Sequence, residues 1–211
     1  MPIDFKKTQK EIYMPKTIPN ILDVPEMVYF AVDGQGDPNT SIEYKSAIKA
    51  LYSLSYTIKM SYKSGKQPEG FYEYVVPPLE GFWQVDDNIF NGDSVIKSKF
   101  LWTSVIRQPE FVTEKVFLWA KEILATKKPN VDTSKVYLWK NYEGLCGQIM
   151  YIGSYDTESN TIQTLTDFIE KSGYKTDISV NRRHHEIYLT DPRKTVPEKL
   201  KTVIRYPIAK I

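Results

Sequence analysis

Apolar positions recur along this chain with two periods, and the switches between them lay out the elements. Met27 to Val32 is a run of β-formers closed by Asp33-Gly34-Gln35-Gly36-Asp37-Pro38, which predicts a first strand and a turn. Tyr44, Ala47, Ile48, Leu51, Ser55, Ile58 and Tyr62 then recur at spacings of three and four, the inner stripe of a helix running to about Lys63. Thr40-Ser41-Ile42-Glu43 opens that helix as a capping box, the threonine accepting from an orphan amide and the glutamate reaching back. Short strands are predicted at Phe71–Val76 and Gly81–Val85, split by Pro77-Pro78, and a polar loop follows from Asp86 to Ser94 with Asn91-Gly92 as its turn. Lys99 to Gln108 is a strong strand stopped by Pro109. A second helix spans about Glu110 to Lys128, with Val112, Val116, Trp119, Ile123 and Leu124 inward.

Strands at Val136–Tyr142 and Leu145–Ile152 come next, then a helix from Glu158 or Thr161 to Ser172 with Gly173 as its stop. The most informative stretch is Arg183-His184-His185-Glu186-Ile187-Tyr188-Leu189-Thr190, a strand ended by Asp191-Pro192. Its period of two sends His185, Ile187 and Leu189 to the core side, and His184, Glu186 and Tyr188 to the other. A last strand covers Thr202–Tyr206.

Residues 1–25 read as an irregular lead-in broken by Pro2, Pro15, Pro19 and Pro25. The rest, 26–211, reads as one domain: a first module over about 26–109, a linking helix and strand over 110–142, and a second module over 143–211. The recurring element order predicts an α+β fold of two pseudo-symmetric strand-helix-strand-strand modules, an antiparallel sheet with helices on one face and a central ligand groove. Under that repeat Trp83, Glu186 and Tyr188 converge on the groove, and Trp102 lies on a strand beside it.

Composition narrows the function classes. Lys+Arg 28 against Asp+Glu 26 leaves +2, with charges interspersed, so no basic footprint for nucleic acid is present. No apolar run approaches a membrane span and the first residues carry no secretory h-region, which together point to a cytoplasmic protein. Aromatics make up 13% of the chain, a supply for the core and for flat-ligand pockets alike. The single cysteine, Cys146, sits in a strand and reads as a buried small hydrophobe. The glycine turn after the first strand lacks the third glycine of a dinucleotide loop, where Asn39 stands, and the basic residue of a P-loop. Adjacent His184 and His185 point to opposite faces and cannot easily share an ion, so neither metal nor cofactor is expected.

The chain resembles the GyrI-like small-molecule-binding proteins, and among them a stand-alone branch. The resemblance rests on Asp33-Gly34-Gln35-Gly36-Asp37-Pro38-Asn39 with Glu43-Tyr44, and on Pro78-Leu79-Glu80-Gly81-Phe82-Trp83. Gln108-Pro109-Glu110-Phe111-Val112, Gly144-Leu145-Cys146-Gly147-Gln148-Ile149-Met150 and His184 through Arg193 extend it over nearly the whole chain after residue 25. It implies a groove glutamate on the penultimate strand, here Glu186. For the branch it implies hydrolysis of cyclopropane-bearing DNA-alkylating natural products of the yatakemycin and duocarmycin type, protecting the cell. Glu186 would then be the catalytic base with Tyr188 beside it, and Trp83, Trp102 and His184 would bind a flat aromatic small molecule. A non-catalytic drug binder and a gyrase-inhibitor-like interaction protein are the competing expectations, and the oligomeric state is left open.

Overall fold

The computed structural model describes residues 1–84, 90, 91, 94–155 and 157–211. Most of the loop expected at Asp86–Ser94, Gly92 of its turn included, lies outside the described residues. In chain order the elements are α1 (Phe5–Thr8), α2 (Lys10–Tyr13), β1 (Asn20–Val24), β2 (Met27–Gln35), α3 (Ile42–Lys59), β3 (Leu79–Gln84), β4 (Phe90–Asn91) and β5 (Ser94–Val95). Then come β6 (Leu101–Gln108), α4 (Glu114–Lys127), β7 (Tyr137–Asn141), β8 (Gly144–Ile152), α5 (Ser159–Lys171), β9 (Tyr174–Thr176), β10 (His184–Tyr188) and β11 (Lys201–Lys210). The class is α+β as expected, and the strand ladders are antiparallel among the described residues.

Local differences from the expected pattern have physical causes. Ser41, rather than Thr40, caps α3, its hydroxyl accepting the Tyr44 amide at 3.1 Å, and Glu43 turns outward to Lys135. The helix stops at Lys59 and tightens into a 3-10 turn over Ser61–Ser64, where Gly65 takes a left-handed φ of 67°. The second helix starts at Glu114 because Thr113 supplies its cap, accepting from the Val116 amide. Phe71–Val76 forms no strand: it makes a single bridge from Tyr74 to Ile3, and is pinned by ring packing of Phe71, Tyr72 and Tyr74 on Phe111. The lead-in is also more ordered than expected, because Pro2 precedes α1 and Pro15, Pro19 and Pro25 fall between α2, β1 and β2 rather than inside them.

The chain divides into two compact units that are not consecutive halves: the first comprises Met1–Asp4, Met27–Pro77 and Val85–Asn141, the second Phe5–Glu26, Pro78–Gln84 and Tyr142–Ile211. In the first, β2 pairs with β6 on one side and β7 on the other. Helix α3 packs on β2 and β6. Leu51, Leu54, Ile58, Phe30, Ile106, Phe117 and Leu124 are buried there.

In the second unit the strand order is β1-β8-β11-β10-β3, with β9 on the far end of β11. Its two faces are covered by different parts of the chain. Helix α5 sets Leu165 and Ile169 on Ile149, Tyr151, Ile204 and Ile208. The lead-in sets Phe5 and Tyr13 on Met150, Ile187 and Val203 of the opposite face.

Candidate functional site

Strand β10 lies between β11 and β3, and its register decides which groups meet. Against β3, His184 faces Trp83 and Glu186 faces Gly81; against β11, Glu186 faces Ile204 and Tyr188 faces Thr202. Ile187 is fully buried in the apolar cluster with the lead-in, and this pins the alternation: a slip of one residue would drive Glu186 into that cluster. His184, Glu186 and Tyr188 therefore share the α5 face, as the period of two predicts. That face is far from wet, since the Glu186 side chain is only 12% exposed and His184 is buried.

Around Glu186 the polar groups are close and sparse. His184 Nε2 lies 3.3 Å from Glu186 Oε1, and Tyr188 hydrogen-bonds the carboxylate. Trp83 Nε1 donates to the Tyr188 hydroxyl at 3.0 Å, which occupies the phenol oxygen as an acceptor and leaves its proton for Glu186. A Cβ at Gly81 would come within 2.8 Å of Trp83 Nε1 and 3.1 Å of the Tyr188 hydroxyl, so the bare strand position opposite Glu186 is what makes room for this pair. Tyr155 meets the Tyr188 ring edge-on at 5.8 Å, and Tyr206 meets the His184 ring edge-on at 4.9 Å. Burial pushes the Glu186 carboxyl up to about 7, against the pull of the Tyr188 hydrogen bond and the charge of His185. Burial, and then the same His185 charge, drives His184 down to about 3, so its ring is neutral. Burial and the Glu186 charge push the Tyr155 phenol up to about 12.

The other face of β10 carries a second polar group, fully compensated. His185, at 0% exposure, stacks on Phe82 at 3.9 Å between ring centres. Its Nδ1 lies 3.0 Å from Glu143 Oε2 and its Nε2 3.0 Å from Glu80 Oε2, the latter an ion pair off the N–H axis. Arg205 Nη1 donates to Glu143 Oε1 at 2.8 Å, and its other nitrogens reach Gln148 Oε1 and the Ile12 carbonyl. Gln148 Nε2 donates to the Glu11 carbonyl at 2.6 Å and the Tyr13 hydroxyl to Glu80 Oε1 at 3.3 Å, so the network also ties down the lead-in. Burial alone would raise the Glu143 carboxyl, but His185 and Arg205 overcome it and hold it near 2.

Of the residues singled out in the sequence, Trp83, His184, Glu186 and Tyr188 are brought together. Trp102 lies in the other unit at 1% exposure, edge-on to Tyr44 at 4.9 Å and flat against Gly34, where a Cβ would fall 2.2 Å from its ring. Cys146 is buried, its thiol pushed up to about 12 by burial and by Glu143, which suits packing rather than nucleophilic attack. Tyr155 and Tyr206 were not singled out beforehand, and Gly81 only as part of a motif. Alternation along β11 carried a signal for Tyr206; Tyr155 follows a turn and carried none. Among the described residues no group of three or more His, Cys, Asp or Glu converges as a metal site.

Comparison with known proteins follows this geometry. The sequence pattern of the GyrI-like small molecule binding domain matches residues 18–209. A hydrolase from Listeria innocua is 46% identical over 98% of this chain and 100% of its own, with a TM-score of 0.90. Another crystal structure of a hydrolase from that organism is 45% identical over 99% of this chain and 100% of its own, with a TM-score of 0.91. The C-terminal domain of EcmrR shares the fold at 11% identity, over 92% of this chain and 98% of its own, with a TM-score of 0.55. No curated protein matches the chain.

Proposed function

This chain belongs to the GyrI-like small-molecule-binding domain family, and from that premise we propose that it binds a flat aromatic small molecule and hydrolyses it, with Glu186 as general base. The observation that carries the reading is the carboxylate itself. It is nearly buried, hydrogen-bonded by one phenol with a neutral imidazole 3.3 Å away, ringed by Trp83, Tyr155, Tyr188 and Tyr206, and brought by burial to a proton affinity near neutral pH. A base tuned to ambient pH is what proton abstraction from water requires, whereas a carboxylate meant only to pair with a cation would gain from staying acidic. The resemblance to hydrolase structures from Listeria innocua, 46% and 45% identical over almost the whole chain, supports the same reaction class.

The substrate class follows from the resemblance: cyclopropane-bearing DNA alkylators of the yatakemycin and duocarmycin type, whose removal protects the cell. Water attacks the ring methylene while Glu186 takes its proton. The bond from that carbon to the spiro centre breaks, and its electron pair flows to the conjugated carbonyl, leaving a phenolate that is protonated afterwards. Trp83 would stack on the planar ligand, and Tyr188 and His184 would hold the water against Glu186. Trp102, buried in its own unit's core, supports that core's packing in this reading rather than touching ligand.

The experiment is incubation of the purified protein with a spiro-cyclopropane alkylator, followed by mass spectrometry for the product of adding one water. Ligand retained unchanged by the wild-type protein would leave a binder or sequestrant, and absence of both binding and turnover would overturn the substrate class.

A further inference from the structure

We infer that His185 is a positioning residue: a buried imidazolium, clamped between two carboxylates on the face of β10 opposite Glu186, that fixes a positive charge one residue from both His184 and Glu186. This rests on the reading of Glu186 as the base, and it adds a residue that touches no ligand.

The protonation state follows from the contacts. Nδ1 has two polar neighbours, Glu143 Oε2 at 3.0 Å and Arg205 Nη1 at 3.4 Å. Arg205 Nη1 already donates to the other oxygen of Glu143 at 2.8 Å, which makes Glu143 an anion. An anion at 3.0 Å from Nδ1 calls for a proton on that nitrogen. Nε2 faces the second carboxylate, Glu80, at 3.0 Å, and a bare lone pair there would meet negative charge. With both nitrogens protonated, His185 and Arg205 balance Glu80 and Glu143, and the buried group is neutral overall. A neutral His185 between two carboxylate anions would leave an uncompensated negative charge where it is most costly. Burial opposes the charged ring, and Glu143 with Glu80 raises its proton affinity regardless. The titratable groups around it are Glu80 on β3, Glu143 before β8, Cys146 on β8, Arg205 on β11, Tyr13 on α2, and His184 and Glu186 on its own strand.

The consequence reaches the other face through the strand. His184 and Glu186 flank His185 in sequence, and its positive charge acts on both: it disfavours a second proton on His184 and favours the anion of Glu186. Without it, desolvation would carry Glu186 further up, leaving mostly carboxylic acid at neutral pH. Two neighbouring histidines thus divide the work, one charged on the closed face and one neutral beside the base.

Two NMR measurements test this without substrate, so their failure is separable from failure of the hydrolytic reading. In the wild-type protein, imidazole nitrogen shifts at pH 7 should show His185 doubly protonated and His184 singly protonated. A neutral His185 at pH 7 overturns the proposal. Carboxyl-carbon titration of His185→Gln should place the Glu186 midpoint higher, because a charge that favours its anion is gone; an unmoved midpoint also overturns it. If turnover is observed, the ascending limb of its pH profile should move up by the same amount and recover at high pH, whereas a merely structural defect would depress all pH values alike. Should His185→Gln fail to fold, Glu80→Gln serves instead: His185 must lose its proton at lower pH than in the wild type, with Glu186 rising above that point, and no change in either refutes the link.

Discussion

Two glutamates in the same unit are buried to nearly the same degree and behave in opposite ways. Glu143 is held near 2 while Glu186 is lifted to about 7. The difference lies in their company. Glu143 has a guanidinium at 2.8 Å and an imidazole at 3.0 Å; Glu186 has a phenol and a neutral imidazole. Burial penalises the anion in both places, and only where cations offset that penalty does the carboxylate become a fixed structural charge. Where they are withheld, the same side chain can exchange a proton near neutral pH.

The sharpest way to break this comparison is to remove the compensated charge. Glu143→Gln leaves Arg205 and His185 with a weakened partner, and should cost about 3–5 kcal/mol in chemical denaturation. A loss below about 1 kcal/mol would show that the network contributes little. At the other carboxylate the effect should fall on turnover: Glu186→Gln should keep ligand binding while lowering hydrolysis on the order of a hundredfold or more. Undiminished hydrolysis would move the base elsewhere, with Tyr188 the next suspect.

The pH dependence of stability should separate the two further, because the signs are opposite. The depressed Glu143 contributes stability that is present above its ordinary 4.5 and is lost as pH falls through about 2. The raised Glu186 contributes stability that is present below 4.5 and is lost as pH rises through about 7. Melting temperature against pH should therefore lose part of its acid slope in Glu143→Gln and part of its decline between about pH 4.5 and 7 in Glu186→Gln. Equal slopes in wild type and variants would refute the contrast. The smallest effect is expected from Trp83→Phe, which deletes the donor to the Tyr188 hydroxyl but keeps an aromatic surface. It should cost about 1 kcal/mol or less in stability and weaken binding of the planar ligand severalfold. An unchanged affinity would place the ligand away from the indole.

What the sequence disclosed, and what it withheld, follows the range of the interactions. Alternation along β10 is a local property, and it assigned His184, Glu186 and Tyr188 to one face correctly. Helical stripes were equally local, though a cap one residue along, at Ser41, was enough to shift a boundary. The back-face network joins Glu80, Glu143, Gln148 and Arg205 to His185 across four strands and a turn, so only the register could disclose it. Trp83 and Trp102 looked alike in sequence because both sit in apolar strands. Their partners separate them: Trp102 pairs with Gly34 and fills the space over it, while Trp83 pairs with His184 and leans over Gly81. The lead-in was misread because proline spacing hides elements of four and five residues.

The position of β11 has a consequence for how the protein is made. That strand joins β10, β8 and β9, and every one of them precedes it in the chain. As the polypeptide leaves the ribosome, β8 and β10 must therefore wait with open edges until their common neighbour emerges, and Glu143 waits without Arg205. The surroundings of Glu186 cannot assemble gradually during translation. They close at a late, long-range step, and until then the nascent chain presents unpaired β-edges, the kind of surface that chaperones shield.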